Sequence, residues 1–232
     1  MIEIKKGNIF TTNCHTIVNT VNCVGIMGAG IAYEFKLRFP DMFEKYQQFC
    51  ASDSIDIGKL WIYKLKKDDN EYYEYILNFP TKRHWKHPTE IKYLEQGLQK
   101  FIDTYKQKKI LSIAFPLLGA SKGGLSESVS IEIMKKYLDK IDIPVEIWYF
   151  DSNAEDDIYE EFKEKFLNLD IDTIKEQSKL RIDLINKIKI ALTRDDINSL
   201  SGLLKVKGIG NASLEKSFKF IKNYKNEILF DY

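Results

Sequence analysis

The chain has 232 residues, with 35 Lys+Arg against 34 Asp+Glu, and is 44% hydrophobic and 30% charged. This is the composition of an ordinary globular protein, which excludes a disordered or membrane-embedded chain, and the balanced charge by itself names no partner. No apolar run approaches the ~20 residues needed to cross a bilayer. Cys14, Cys23 and Cys50 have no CxxC spacing and cannot close a disulfide set, and the opening MIEIKK reads as a strand, not a leader, so a cytoplasmic setting is expected.

Local charge is uneven. Residues 151–161 hold six acids and no base, whereas residues 202–226 hold six lysines and the single acid Glu215. The two ends are therefore expected to differ in role.

In chain order, residues 2–5 and 16–21 read as strands. Gly28-Ala29-Gly30 opens a helix with Ile31, Phe35, Leu37 and Phe39 on its apolar face, stopped by Pro40, where a second helix runs to about Cys50. Residues 59–65 and 72–79 read as paired strands around the polar turn Lys67-Asp68-Asp69-Asn70. Helical spacing of Ile91, Leu94, Leu98, Phe101 and Ile102 predicts a helix over 90–107. Residues 110–115 form an apolar run, as in a strand covered on both faces. A glycine loop, a helix over 126–140 and a strand at 144–150 follow. Residues 155–230 carry helical patterns and no strand signal. The alternation predicts a three-layer α/β/α sandwich over residues 1–152 and a small all-α region over 153–232.

Three loops fall at the C-terminal ends of predicted strands, where open α/β sheets bind ligands. The first holds Asn19, Asn22, Gly25, Met27, Gly28, Gly30 and Ile31; the second holds Thr81, Lys82, Arg83 and His84; the third runs Gly119-Ala120-Ser121-Lys122-Gly123-Gly124-Leu125. Glycine lets backbone amides approach a phosphate, and a helix N-terminus adds a favourable dipole, so two such loops face to face suit a diphosphate. Neither carries the spacing of a P-loop or of GxGxxG. Asn19 and Asn22 read either as sugar-binding amides or as turn caps. Lys82 reads as a buried nucleophile or base, as a cation for phosphate or developing negative charge, or as a solvated surface lysine. Arg83, His84, Trp85, Lys86 and His87 suit the rim of a nucleic-acid site, with Trp85 either stacking on an unpaired base or anchoring its loop. His84 and His87 lack further partners at metal-ligand spacing, so no metal is expected.

The segments VNTVNCVGIMGAGIAYEFK, ILNFPTKRHW and PLLG…GGL, in this order, resemble the macrodomain of the DarG antitoxins, DNA ADP-ribosyl glycohydrolases that reverse thymidine ADP-ribosylation by their partner toxin DarT. The resemblance covers about residues 1–150 and implies a macrodomain fold with ADP-ribose across the strand ends. It implies the diphosphate at residues 25–31 and 119–125, the distal ribose near Asn22, and Lys82 as the lysine on which activity depends. It implies the adenine near Asn8 and Ile9, where many macrodomains have an aspartate. Related terminal glycohydrolases carry an aspartate in the later glycine loop; here that loop has no acid. The implied partners are ADP-ribosylated DNA, ADP-ribose and a DarT-type transferase, with no cofactor and no membrane.

Residues 200–222 resemble a helix-hairpin-helix motif around Gly208-Ile209-Gly210, with Lys205, Lys207, Lys216 and Lys219 beside the turn. The motif implies amides facing a DNA phosphate; the alternatives are a turn between packed helices or a surface for the toxin. For the whole chain the leading expectation is an ADP-ribosyl glycohydrolase acting on DNA as an antitoxin. The rivals are a non-catalytic reader of ADP-ribose or a related nucleotide signal, and a hydrolase of small ADP-ribose esters.

Overall fold

The structure, a computed structural model, describes residues 1–66, 72–151, 154 and 156–224. The expected turn at 67–70, part of the acidic stretch and residues 225–232 lie outside these. The chain divides into two compact units, Met1–Ala154 and Glu155–Tyr232.

In the first unit the strands are β1 (Ile2–Gly7), β2 (Thr16–Asn22), β3 (Trp61–Lys64), β4 (Tyr75–Lys82), β5 (Ile113–Pro116) and β6 (Val145–Phe150). They form one six-stranded sheet in the order β1-β6-β5-β2-β4-β3. Every pairing is parallel except that of β3 with β4. The helices are α1 (Gly30–Arg38), α2 (Pro40–Ala51), α3 (Ile91–Thr104) and α4 (Glu127–Leu138).

Strand alternation sends Ile17, Val21 and Ile76 into one core with Phe35, Phe39, Met42 and Tyr46 of α1, its C-cap and α2. It sends Val18, Leu77 and Phe79 into a second core with Leu94, Leu98, Phe101 and Met134 of α3 and α4. Residues two apart share a sheet face, so one central strand serves both cores. The result is the three-layer sandwich. Pro40 at the first position of α2 lets α1 stop and the chain turn into the next helix, since proline there loses no needed amide.

Several expected boundaries move, two of them beside the strand ends that matter here. The strand expected over 110–115 begins only at Ile113: Lys109 takes a left-handed φ of 54°, Ile110 N–H closes on Tyr105 O, and Leu111 is 66% exposed. Conversely, β4 runs through Pro80 to Lys82, three residues past its expected end. Proline is tolerated there because β3 pairs with β4 only as far as Asn78, and β2 shifts register between Val21 and Asn22 alongside. Lys82 is thus the last residue of a central strand, not a loop residue.

Glu146 of β6 is buried and accepts from Lys5 Nζ (2.5 Å), Thr12 Oγ1 (2.5 Å) and Trp148 Nε1 (2.8 Å), tying β1, β6 and the turn before β2 together. Burial pushes its carboxyl up, but these three bonds outweigh that and hold it below the usual range.

The second unit comprises α5 (Asp157–Asn168), α6 (Ile171–Ser178), α7 (Ile182–Leu192), α8 (Leu200–Leu203) and α9 (Asn211–Asn223). Its core holds Phe162, Phe166, Ile174, Ile188, Leu203, Leu214 and Ile221. Asp156 caps α5 through Tyr159 N–H (3.3 Å) and also accepts from Leu200 N–H (3.2 Å). No described helix is long and apolar enough to cross a membrane.

Gly97 of α3 lies against the fully buried ring of Phe79, and a Cβ there would stand 2.2 Å from Phe79 Cζ. Gly97→Ala is expected to cost about 1–3 kcal/mol in urea unfolding despite its helix propensity, because the ring has no space to retreat into. Unchanged or increased stability would contradict this packing.

Candidate active site

Strands β5, β2 and β4 are adjacent and parallel, so the three loops at their C-terminal ends meet at one edge of the sheet. Beyond the register shift Asn22 pairs with Lys82. Cys23 then continues the zipper: its N–H donates to Arg83 O (3.1 Å) and its Sγ lies 3.3 Å from Lys82 O. Burial first, then the Asp56 carboxylate, push the Cys23 thiol up to about 11.

Asn22 acts as an internal brace of the first loop. Its Oδ1 accepts from Val24 N–H (3.0 Å), Ile26 N–H (3.3 Å) and Tyr46 Oη (3.1 Å), and its Nδ2 donates to Ile26 O (2.5 Å). Tyr46 also donates to Asn22 O at 2.7 Å, and burial pushes its phenol far up, so it stays protonated. The turn-capping alternative therefore describes Asn22, with Tyr46 as a partner the sequence did not reveal. Gly25 and Gly30 take left-handed φ values of 76° and 58°. Met27 is buried beneath the loop, whereas Gly28, Ala29 and Gly30 are exposed. Helix α1 starts with no side-chain cap and no acid in its first turn.

Of the other expected ligand residues, Asn19 and Ile9 are buried and Asn8 is half-exposed. Asn19 is mid-strand and fully buried; its Nδ2 donates to Asn78 Oδ1 at 2.9 Å. It has no surface to offer, because alternation points it into the core with Ile17 and Val21. Asn8 caps a 3₁₀ turn, Ile9–Thr11, by accepting from Phe10 N–H at 3.0 Å, and Ile9 is buried.

Lys82 stands half-buried at the mouth, and burial lowers its ammonium below the ordinary lysine range. Its Nζ donates to the backbone carbonyl of Lys122 in the third loop. That loop is a 3₁₀ turn, Ser121–Gly123, flanked by Gly119 (φ 71°) and Gly124 (φ 88°), with Ser121 itself at φ 51°. A Cβ on Gly30 would lie 3.9 Å from Lys122 Cγ, so the first and third loops approach one another. Thr89 pins the third loop from below. It donates N–H to Gly123 O (2.8 Å) and leaves no space for a Cβ at Gly119 (2.8 Å to its Cγ2) or Gly123 (2.9 Å to its Oγ1). Thr89 has no motif around it; only its place before α3 marks it. Ala120 and Leu125 join the two ends of the loop as an isolated bridge, and Thr81 is buried behind Lys82.

The rim is less cationic than its sequence. Arg83 pairs with Asp56 (2.7 Å) and lies 6.0 Å over the Tyr93 ring, so its charge is partly answered. Trp85 is 50% exposed, with His84 stacked at 5.6 Å and Lys86 Nζ 5.2 Å from its centroid. Val24 and Ile26 are also exposed. Among the described residues no three His, Cys, Asp or Glu side chains group as metal ligands.

In the second unit Gly208 takes φ 93°, Ile209 plugs the core and Gly210 caps α9 by backbone alone. Lys205 and Lys207 are exposed. Lys187 of α7 joins them: a Cβ on Gly208 would meet its Nζ at 2.5 Å.

The sequence profile of the Macro domain family matches residues 18–134. The chain is 36% identical over 160 residues to a DNA ADP-ribosyl transferase-DNA ADP-ribosyl glycohydrolase fusion protein of Thermosipho africanus, covering 63% of this chain and 41% of that protein. It is 35% identical over 151 residues to a DNA ADP-ribosyl glycohydrolase of Thermus aquaticus, covering 65% of this chain and 41% of that protein. It thus spans well under half the length of either curated relative. The solved macrodomain of Mycobacterium tuberculosis DarG superposes with a TM-score of 0.61 at 34% identity, covering 64% of this chain and 97% of that one.

Asn22→Ala removes an acceptor shared by three donors. It is expected to cost about 1–3 kcal/mol, read by chemical denaturation. A loss below 0.5 kcal/mol, against the scale of one ordinary hydrogen bond, would argue against the brace.

Proposed function

Because the chain belongs to the Macro domain family and is similar to DNA ADP-ribosyl glycohydrolases, we propose that its first unit hydrolyses the bond between ADP-ribose and a base of DNA, with thymine as the base. In this reading it serves as an antitoxin, and its counterpart is a DarT-type DNA ADP-ribosyl transferase, the activity joined to the glycohydrolase in the Thermosipho africanus relative. The observation that carries the reading is the half-buried Lys82 at the end of β4, with glycine loops on either side.

The diphosphate lies between the start of α1 at Gly28–Gly30 and the loop from Gly119 to Leu125, held by backbone amides and the helix dipole. The distal ribose lies near Asn22 and Lys82, the adenine near Asn8 and Ile9. Trp85 and His84 stack on bases of an unpaired strand. Arg83, paired with Asp56 yet still exposed, adds charge to the rim that meets the nucleic acid. In the second unit Gly208 and Gly210 offer amides to a DNA phosphate, with Lys205, Lys207 and Lys187 adding charge. Three free thiols support a reducing, cytoplasmic setting.

The decisive assay is release of ADP-ribose from a single-stranded oligonucleotide ADP-ribosylated on thymine. Wild type is expected to release it, and Lys82→Ala to do so at least ~100-fold more slowly while still binding ADP-ribose. Tight binding without release by wild type would instead favour a non-catalytic reader, the alternative kept open by the missing acid in the third loop.

The paired substitution Lys205→Glu, Lys207→Glu is expected to weaken oligonucleotide binding about 10-fold and flatten its salt dependence. An unchanged salt slope would remove the hairpin from the DNA contact.

A further inference from the structure

Every other backbone carbonyl from residue 117 to 123 accepts from the loop's own amides, from Ser130 Oγ or from the Thr89 amide. Buried or crowded carbonyls are routinely satisfied this way within the backbone. The Lys122 carbonyl differs: its partner is the Lys82 ammonium, on another strand. Thr89 fixes its direction by gripping the next carbonyl, Gly123 O, and by leaving no slack at Gly119 or Gly123.

We infer that the Lys122 carbonyl holds Lys82 as a proton-bearing donor to the departing base, so that Lys82 works as a general acid and not as an amine nucleophile. This inference rests on the glycohydrolase reading above. A carbonyl accepts a hydrogen bond from an ammonium or from an amine, but it cannot take the proton. A carboxylate in its place could strip the ammonium and free the amine to attack.

The bond between the anomeric carbon and the base nitrogen breaks, and its electron pair stays on the nitrogen. That nitrogen takes a proton from the Lys82 ammonium. Water adds to the anomeric carbon and returns one proton to the Lys82 amine. One water is consumed, and the products are the free base and ADP-ribose. Burial, which lowers the Lys82 ammonium, makes it a readier acid.

The charged and titratable groups around Lys82 are Arg83 with its partner Asp56 on the segment before β3, the Cys23 thiol on the first loop, and Lys122 on the third. The Asp56 carboxylate is spoken for by Arg83 and by the Ile57 amide (2.7 Å). No carboxylate therefore bonds Lys82 among the described residues.

The test combines a pH–rate profile of wild type, cyanoborohydride trapping during turnover, and Lys82→Arg beside Lys82→Ala. A general acid gives a rate that falls as pH rises through the lysine titration and no trapped adduct. Lys82→Arg, which keeps the charge but does not release its proton, then stays about as slow as Lys82→Ala. A rate that climbs with pH, an adduct of ADP-ribose mass on Lys82, or Lys82→Arg turning over near the wild-type rate would overturn the inference while leaving glycohydrolase activity standing. No release by wild type at all would overturn both. The profile and the trapping use wild type, so neither depends on a variant's folding.

Discussion

The pairing of Asn22 with Lys82 across the register shift between β2 and β4 is the constraint on which the site depends. It fixes where the first loop leaves the sheet and where the lysine emerges. Strand side chains alternate faces, so a slip of one residue would turn Lys82 to the opposite side. The Cys23 amide and thiol extend the pairing one residue further, to Arg83 O and Lys82 O. Because β5 lies on the other side of β2, the third loop reaches the same mouth without any long excursion.

Around this edge the polar side chains divide their work. Asn8, Asn19, Asn22 and Arg83 bond within the protein, to Phe10, Asn78, the first loop with Tyr46, and Asp56. Groups facing outward are chiefly glycine backbone, the start of α1, Lys82 and the Trp85 rim. This fits the energetics of a preformed cleft: an unbraced glycine loop would lose conformational entropy on meeting a ligand, whereas a braced one has lost it on folding. Backbone amides held in this way suit a diphosphate better than mobile side chains would.

The layers and the three-loop edge were legible because they follow from local patterns. Apolar runs marked β2, β4 and β6, glycines marked the loops, and Pro40 marked the break between α1 and α2. What stayed hidden depends on contacts distant in sequence. Nothing near Asn22 announces Tyr46, nothing near Asn19 announces Asn78, and Thr89 acquires its role only when Gly119 and Gly123 fold onto it. Pro80 read as the end of a strand, since proline lacks a ladder donor. The neighbouring β3 ends early enough to make that loss harmless. Charge misled in the same way: Arg83 looked like a free cation until Asp56, 27 residues earlier, was placed beside it.

The most direct measurement is a backbone-amide NMR titration of the protein with ADP-ribose. The account predicts saturable shifts concentrated at Gly25–Ile31, around Lys82 and from Gly119 to Leu125, with the helical unit silent. Saturable binding whose shifts fall elsewhere, or no binding at millimolar ADP-ribose, would contradict it.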